Sequence, residues 1–170
     1  MKRLVCGFLC LLLCFSLSGC KEDLVPMTEP VEFFYLRDSF SYTDTDSVIG
    51  SELREAAGHK EDLNYLLDLY FSGPQSDALA KTFPPECSSV SFSTRGSTIT
   101  IVVTDAFASL TGMDLSVACV CLAKTLTGIS GFHTVVIRAQ TQLLDGKKSI
   151  TIRNEDSVLL DDYIAPTQTE

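Results

Sequence analysis

The side chains most often used in catalysis are few in this chain. The sequence has two histidines, His59 and His133, and no Gly-x-Ser-x-Gly motif. Its one Ser-x-x-Lys pattern runs from Ser18 to Lys21, across a bond that we expect to be cleaved during export. A Ser-His-Asp triad is assembled in space, so a hydrolase using either histidine stays open as the least favoured alternative. We expect a protein that is not an enzyme and that binds no cofactor.

The carboxylates and thiols give only partial metal-binding patterns. Asp44, Asp46 and Glu55 fall at positions one, three and twelve of an EF-hand loop. Val48 and Ile49 stand where that loop needs a ligand and a glycine, so the pattern fails chemically. Cys119 and Cys121 lie two residues apart on a predicted helix and point about 200° apart, too far to share one ion. We expect no metal site.

The N-terminus carries the clearest chemical signal. Lys2 and Arg3 precede an apolar run, Leu4–Leu17, that is too short to span a bilayer but suits a secretory leader. The run ends in Leu17-Ser18-Gly19-Cys20, which resembles the bacterial lipobox. A peptidase cuts such a motif before the cysteine, whose sulfur carries a diacylglyceryl group. We predict a signal peptide over residues 1–19 and lipid attachment at Cys20.

This processing would place the mature chain on the outer face of the bacterial cytoplasmic membrane. Loss of Lys2 and Arg3 moves the formal charge from −9 to −11, so the lipid and not surface charge would hold the protein there. Residues 20–30 are acidic and contain two prolines, which is typical of a tether. An acidic surface repels phosphates, so nucleic acid is not an expected partner.

The remaining cysteines are odd in number once Cys20 is lipidated. Cys87, Cys119 and Cys121 are left, and export permits disulfide formation. A bond from Cys87 to either helix cysteine stays open, but we favour no disulfide because cysteines on an inward helix face are often buried hydrophobes.

The body of the chain predicts one α+β domain, residues 31–153, with two helices packed on one face of a mixed, mostly antiparallel β-sheet. At 170 residues the chain is long enough for one core. A C-terminal tail, residues 154–170, is expected to be partly packed with a disordered end. The predicted helices are Glu61–Ser72 and Met113–Leu126; the predicted strands are Val31–Leu36, Val48–Arg54, Ser88–Thr94, Thr98–Thr104, Thr134–Ala139 and Ser149–Arg153.

The second predicted helix is apolar on two faces. Val117, Val120 and Cys121 lie opposite its inward leucine stripe. A helix of this kind needs a second cover, so these three residues form a candidate partner surface. The alternative is that the apolar part of the tail, Val158–Ile164, folds over them.

A series of short motifs follows in a fixed order from Val31 to about Arg138: Leu66-Leu67, Gly73-Pro74, Phe83-Pro84, Val90 with Gly96, Thr104-Asp105-Ala106-Phe107, Thr125-Leu126-Thr127, Gly131 and Val135-Val136-Ile137. Their order and spacing resemble the GerMN domain, the module named after the spore-germination protein GerM. That resemblance implies an α/β envelope module without known catalysis, present here in a single copy, that acts in assembly and protein contact during sporulation or germination.

Two non-catalytic functions follow from these observations. The first is a lipid-anchored module that contacts other envelope proteins, or a second copy of itself, in sporulation or germination. The second is an envelope lipoprotein that binds a glycan or solute. The second function needs a concave site with aromatic and polar lining, and the available tyrosines are Tyr35, Tyr42 and Tyr70.

Overall fold

Strands and helices alternate along the residues that the computed structural model describes, 27–39 and 48–157. The α+β class with mostly antiparallel strands is confirmed. The lipobox, Cys20, Asp44, Asp46 and the tail beyond residue 157 lie outside the described residues. The elements are β1 (Pro30–Arg37), β2 (Ile49–Glu55), α1 (Leu63–Phe71), β3 (Leu79–Ala80), β4 (Ser89–Arg95), β5 (Thr98–Val103), a 3-10 helix (Asp105–Ser109), α2 (Gly112–Ser130), β6 (Thr134–Ala139), β7 (Ile150–Arg153) and α3 (Asn154–Ser157).

The strands are divided between two sheets. The smaller sheet has the order β2-β1-β3 and is antiparallel, while the larger has the order β4-β5-β6-β7. Only β5 and β6 run parallel among the described strands. A parallel pair needs a long crossover connection, and here α2 supplies it.

Along most of the length of β1, one of its two edges has no neighbouring strand in the described part of the chain. Helix α2 covers that edge. β3 pairs with β1 only at Leu36 and Arg37. Nearer the start of β1, the Phe34 N–H donates to the Thr125 hydroxyl oxygen on α2 at 3.0 Å. That hydroxyl donates to the Cys121 carbonyl at 2.9 Å, so one side chain satisfies a strand donor and remains bonded within the helix.

The end of α1 is held by a buried arginine. Gly73 adopts a left-handed conformation with φ +92° and ends the helix, as the Gly73-Pro74 pair predicts. The Arg54 guanidinium, 6% exposed, donates to the Leu69 carbonyl at 2.8 Å and the Gly73 carbonyl at 3.0 Å. The Glu52 carboxylate, 4.0 Å from Arg54, accepts the backbone N–H groups that follow at residues 75 and 76. The charge pair therefore ties β2 to the last turn of α1.

We predict that Thr125→Val lowers the free energy of unfolding by about 1 kcal/mol, because it leaves the part-buried Phe34 N–H without its acceptor. The matched control is Thr127→Val, whose hydroxyl donates only to the Lys124 carbonyl on the same helix. That control should change stability by less than about 0.5 kcal/mol. Chemical denaturation of both variants checks the difference, and equal losses would show that the link between helix and strand is not the cause.

Candidate functional site

The end of the domain nearest the predicted lipid is fastened by a carboxylate. Glu55, the last residue of β2, accepts backbone N–H groups from Thr28 at 2.7 Å, Glu29 at 3.0 Å and Ala57 at 3.2 Å. The Glu29 carboxylate in turn accepts the Gly58 N–H at 2.9 Å. These bonds tie Thr28 and Glu29, just before the predicted domain start at residue 31, to the end of β2.

The same contacts explain the role of Glu55 and its protonation. Local desolvation raises the pKa of its carboxyl, but the backbone donors of Thr28, Ala57 and Glu29 outweigh that effect, so the pKa lies below its ordinary value. The carboxylate is thus used as a structural acceptor, which is a different role from the calcium ligand of an EF-hand.

The two histidines lie in exposed connections. His59 precedes α1, its ring stacks on Tyr65 with centroids 4.5 Å apart, and its Nδ1 is 3.9 Å from the Asp62 carboxylate. That carboxylate also caps α1 by accepting the N–H groups of residues 64 and 65. His133 precedes β6, and its backbone N–H donates to the Ser97 carbonyl at 2.8 Å. Within the described part of the chain, neither imidazole forms a hydrogen bond with a serine hydroxyl.

The candidate partner surface on α2 is not a surface. Val117 and Val120 are each 6% exposed and Cys121 is fully buried. Their cover comes from Phe34 and Leu36 of β1, Ile49 of β2 and Ile152 of β7. The prediction of an exposed contact face is therefore wrong, because the smaller sheet packs on the side of α2 opposite the leucine stripe. The alternative cover, Val158–Ile164, lies outside the described residues.

By length and composition α2 is the one helix in the described chain that could cross a membrane, with a mean hydropathy of 1.4 over 19 residues. More than half of it is buried within the fold, and ten of its side chains are buried against the two sheets. The apolar side chains of α2 therefore belong to the core of the protein.

A small apolar cleft of about 140 Å³ opens beside the first half of α2. The neighbouring side chains of Met113 and Leu143 are 60% and 51% exposed. Polar groups at the cleft come from Ser116, Asp145 and Lys147. The apolar walls are formed by Leu115, Cys119 and Val120 of α2 and by Leu144, Ile150 and Ile152 across from it.

A second carboxylate shapes this cleft. Asp105, at the start of the 3-10 helix, accepts the Thr141 hydroxyl, the Thr141 N–H at 2.9 Å and the Gln142 N–H at 3.2 Å. The Thr141 hydroxyl and backbone donors lower the pKa of Asp105. These bonds hold the start of the β6–β7 connection, in which Leu144 is buried while Leu143 is exposed.

The outer edge of β4 is uncharged over most of its length. β4 pairs with β5 on one side only among the described strands. Its sequence is Ser-Val-Ser-Phe-Ser-Thr-Arg, five of its seven side chains are exposed, and Val90 is 45% exposed. The register shifts between Ser89 and Ser91, which leaves Ser91–Arg95 as a regular edge. By contrast, the outer strand of the smaller sheet, β2, carries Glu52, Arg54 and Glu55.

The three described cysteines are free and buried. Burial raises the pKa of the Cys87 thiol to about 11 and those of Cys119 and Cys121 to about 12. Since the thiolate is the reactive form, none of the three is suited to nucleophilic chemistry.

The tyrosines considered for a ligand site belong to the core. Tyr35 and Tyr70 are 0% and 1% exposed and stack with ring centroids 5.1 Å apart. The Tyr35 hydroxyl donates to the Tyr70 carbonyl at 2.9 Å. Phe33, Phe71 and Phe83 complete this aromatic cluster. Tyr42 lies outside the described residues.

Comparison with known proteins gives a weak similarity of fold. No protein-family model matches the chain, and a search of curated proteins finds no match. Among solved structures the chain is similar to a crystal structure of a "Putative Lipoprotein from Clostridium perfringens", with 18% identity and a TM-score of 0.48. The match covers 78% of this chain and 93% of that chain. A similarity at this level does not assign a function.

Sequence reasoning missed both the cleft and the open edge. Ser-Val-Ser-Phe-Ser-Thr has the alternation of a strand, and its lack of charge is the signal that could have marked an unprotected edge. The cleft has no such signal, because Met113 and Leu143 are thirty residues apart in the sequence.

We predict that Glu55→Gln weakens the fold most at neutral pH. Because the folded pKa is below the ordinary value of 4.5, the carboxylate stabilises the fold above that value and loses its effect as the pH falls through the folded pKa. The stability difference between the parent and the variant should therefore shrink on acidification below about pH 4.5. Thermal unfolding across pH checks this. Glu61→Gln, which removes a nearby charge, should show no such trend.

We also predict that no thiol of the folded mature chain reacts with a maleimide within minutes at pH 7.5, and that three react after unfolding. Mass spectrometry of the labelled chain counts them. Rapid labelling of the folded protein at Cys87, Cys119 or Cys121 would contradict their burial, and a fourth labelled thiol after unfolding would show that Cys20 carries no lipid.

Proposed function

We propose that this chain is a lipid-anchored, non-catalytic module of the cell envelope that contacts other envelope proteins. The lipobox at Leu17-Ser18-Gly19-Cys20 supplies the anchor. The Glu55 carboxylate holds Thr28 and Glu29, eight and nine positions after Cys20 in the sequence, so the domain would stay close to the outer membrane surface. The observation that carries protein contact is the open, uncharged edge of β4.

The chemistry of this edge favours an extended segment of another protein. An edge strand offers a row of backbone donors and acceptors, and soluble proteins usually block such edges with charge, proline, a bulge or a cover. The irregularity of β4 lies at its start, between Ser89 and Ser91, and leaves Ser91–Arg95 as a regular edge. From Ser89 to Thr94, β4 has no charged residue and no proline, in a chain of net charge −9. A partner strand added here would gain backbone hydrogen bonds and contact the exposed Val90 side chain.

The role in sporulation or germination rests on the resemblance to the GerMN domain. The motifs that carry it fall at element boundaries: Gly73-Pro74 follows α1, Gly96 lies in the turn between β4 and β5, and Asp105 starts the 3-10 helix. Gly131 ends α2 in a left-handed conformation. This agreement between motif and boundary supports a shared architecture, from which we propose the shared role.

The ligand-binding alternative has less support. It relies on tyrosines in an open site, and Tyr35 and Tyr70 are core residues. The cleft beside α2, about 140 Å³, is smaller than the roughly 300–1,000 Å³ usual for small-molecule sites. A wider groove of about 470 Å³ lies at Glu29 and residues 58–62, but its lining is mainly charged and includes no tyrosine.

A photo-crosslinking amino acid at Val90 tests the proposal in the intact, membrane-anchored chain. We expect a defined envelope protein to be captured from Val90 and not from Leu53, which is similarly exposed but lies on the charged β2 strand. Ser93→Lys should reduce the capture at least tenfold, because a charge on an edge disfavours strand addition. Ser97→Lys, in the adjoining turn, should not.

The same experiment in growing and sporulating cells separates contact from life-cycle role. A partner captured only in sporulating cells supports the sporulation role. The same partner in both states keeps the contact function and removes that role. Equal capture from Val90 and Leu53, or no capture from either, would overturn the contact surface.

A further inference from the structure

One face of the larger sheet carries only positive charge. Its four strands, β4 to β7, contain three arginines and no aspartate or glutamate, although the chain has 22 acidic residues. Side chains alternate between the two faces of a sheet, and those of Ile99, Ile101, Val135 and Ile137 are buried in the main core. The residues between them form the opposite face, and all three arginines belong to it.

The strand register gives the composition of this opposite face, which we call the arginine face. Residues that are paired across neighbouring strands lie on the same side of the sheet. The arginine face therefore has three rows, which are Arg95, Thr98, Thr134 and Arg153, then Ser93, Thr100, Val136 and Thr151, and then Ser91, Val102 and Arg138. Six of these eleven side chains are exposed and five are half-buried, so no described element covers this face as α2 covers the other.

The spacing of the arginines suits an anion with repeated charges. Neighbouring strands lie about 4.8 Å apart, so the backbones at Arg95 on β4 and Arg153 on β7 are separated by roughly 14 Å. Arg138 lies four residues beyond Thr134 along β6, which is about 13 Å at roughly 3.3 Å per residue. A chain that carries a charge at every repeat matches this spacing better than a single small anion does.

The net charge of −9 does not prevent an anion from binding at this face. The Debye length at physiological salt is about 8 Å, so acidic side chains farther away than that are largely screened. Glu155 is close to Arg153 in sequence, but it lies on α3, which packs beside α2. The local charge of the strands is positive, and guanidinium groups form bidentate hydrogen bonds with phosphate oxygens.

The uncharged side chains of the arginine face indicate which anion fits. Nine of the eleven residues are arginine, serine or threonine, and the six hydroxyl groups can hydrogen-bond to a polyol. No aromatic side chain lies on this face, so nucleic-acid bases have no surface on which to stack. Val102 and Val136 are half-buried, so the face lacks the exposed large apolar side chains that enter a membrane interface. A chain that alternates phosphates with hydroxyl-bearing carbons matches both the charges and the hydroxyl groups.

We propose that the arginine face binds a polyol phosphate chain of the cell envelope. The guanidinium groups of Arg95, Arg138 and Arg153 contact phosphates, and the serine and threonine hydroxyls between them contact the polyol. This face is separate from the edge of β4 to which the proposed function assigns a protein strand, so either proposal can fail without the other.

Binding of fluorescent poly(glycerol phosphate) to the full mature chain, held in uncharged detergent micelles, tests the proposal. The double variant Arg95→Gln/Arg138→Gln should weaken binding at least tenfold, and its affinity should depend less steeply on salt, because fewer counterions are released. The matched control is Lys60→Gln/Lys81→Gln, which removes the same charge from two exposed residues outside the four strands. It should weaken binding less than twofold.

Other anions distinguish the polymer from alternative ligands. Monomeric glycerol phosphate, at the same concentration of phosphate, should displace less than a tenth of the bound polymer. Full displacement by the monomer would assign the arginine face to a small anion, and stronger binding to phosphatidylglycerol vesicles than to the polymer would assign it to a membrane surface. Equal losses in the two double variants, or no binding by the parent chain, would also overturn the proposal.

Ser93→Lys separates this site from the strand contact at β4. The added charge lies on the arginine face, so it should strengthen polymer binding at least twofold, while the same variant reduces protein capture at the edge. Unchanged or weaker polymer binding in Ser93→Lys would show that the charge of this face does not determine binding.

Discussion

The bond from the Phe34 N–H to the Thr125 hydroxyl is the point at which helix and strand are joined. β1 has a full strand partner on one side only, because β3 reaches just its last two residues. A backbone donor that is removed from water without a partner costs free energy. Thr125 supplies a partner for the part-buried Phe34 N–H while remaining bonded to its own helix. The smaller sheet can therefore lie directly on α2, and the crossover helix of the larger sheet becomes the common core of both.

This arrangement explains why α2 is apolar almost all round. Leu115, Leu122 and Leu126 belong to the main core, whereas Val117 and Val120 pack on β1 and β2. A helix that contacts a single layer has one apolar stripe; a helix between two layers needs two. The second stripe, which sequence reasoning interprets as a contact surface, is thus the seat of the second sheet.

The excess of acidic residues favours solubility, and three of the carboxylates also stabilise the fold. Glu52, Glu55 and Asp105 each accept two or more backbone N–H groups from a segment distant in sequence. Between them they hold the loop after α1, the segment before β1 and the β6–β7 connection. Ionised acceptors form stronger hydrogen bonds than neutral ones, so these joints depend on the carboxylates remaining charged.

The sequence by itself determined the local features. The Gly73-Pro74 stop of α1, the β4–β5 hairpin, α2 and the Val-rich strand β6 follow from hydrophobic period and from glycine and proline positions, which act over a few residues. The lipobox prediction is local in the same sense. What the tertiary structure alone decided is which surfaces remain open. Whether Val117 is buried depends on Phe34 and Ile49, and whether Leu115 lines a cleft depends on Leu144 and Ile150. These contacts form when segments distant in sequence pack together. The sequence pattern shows the periodicity of an apolar face, but it does not identify the layer that covers that face.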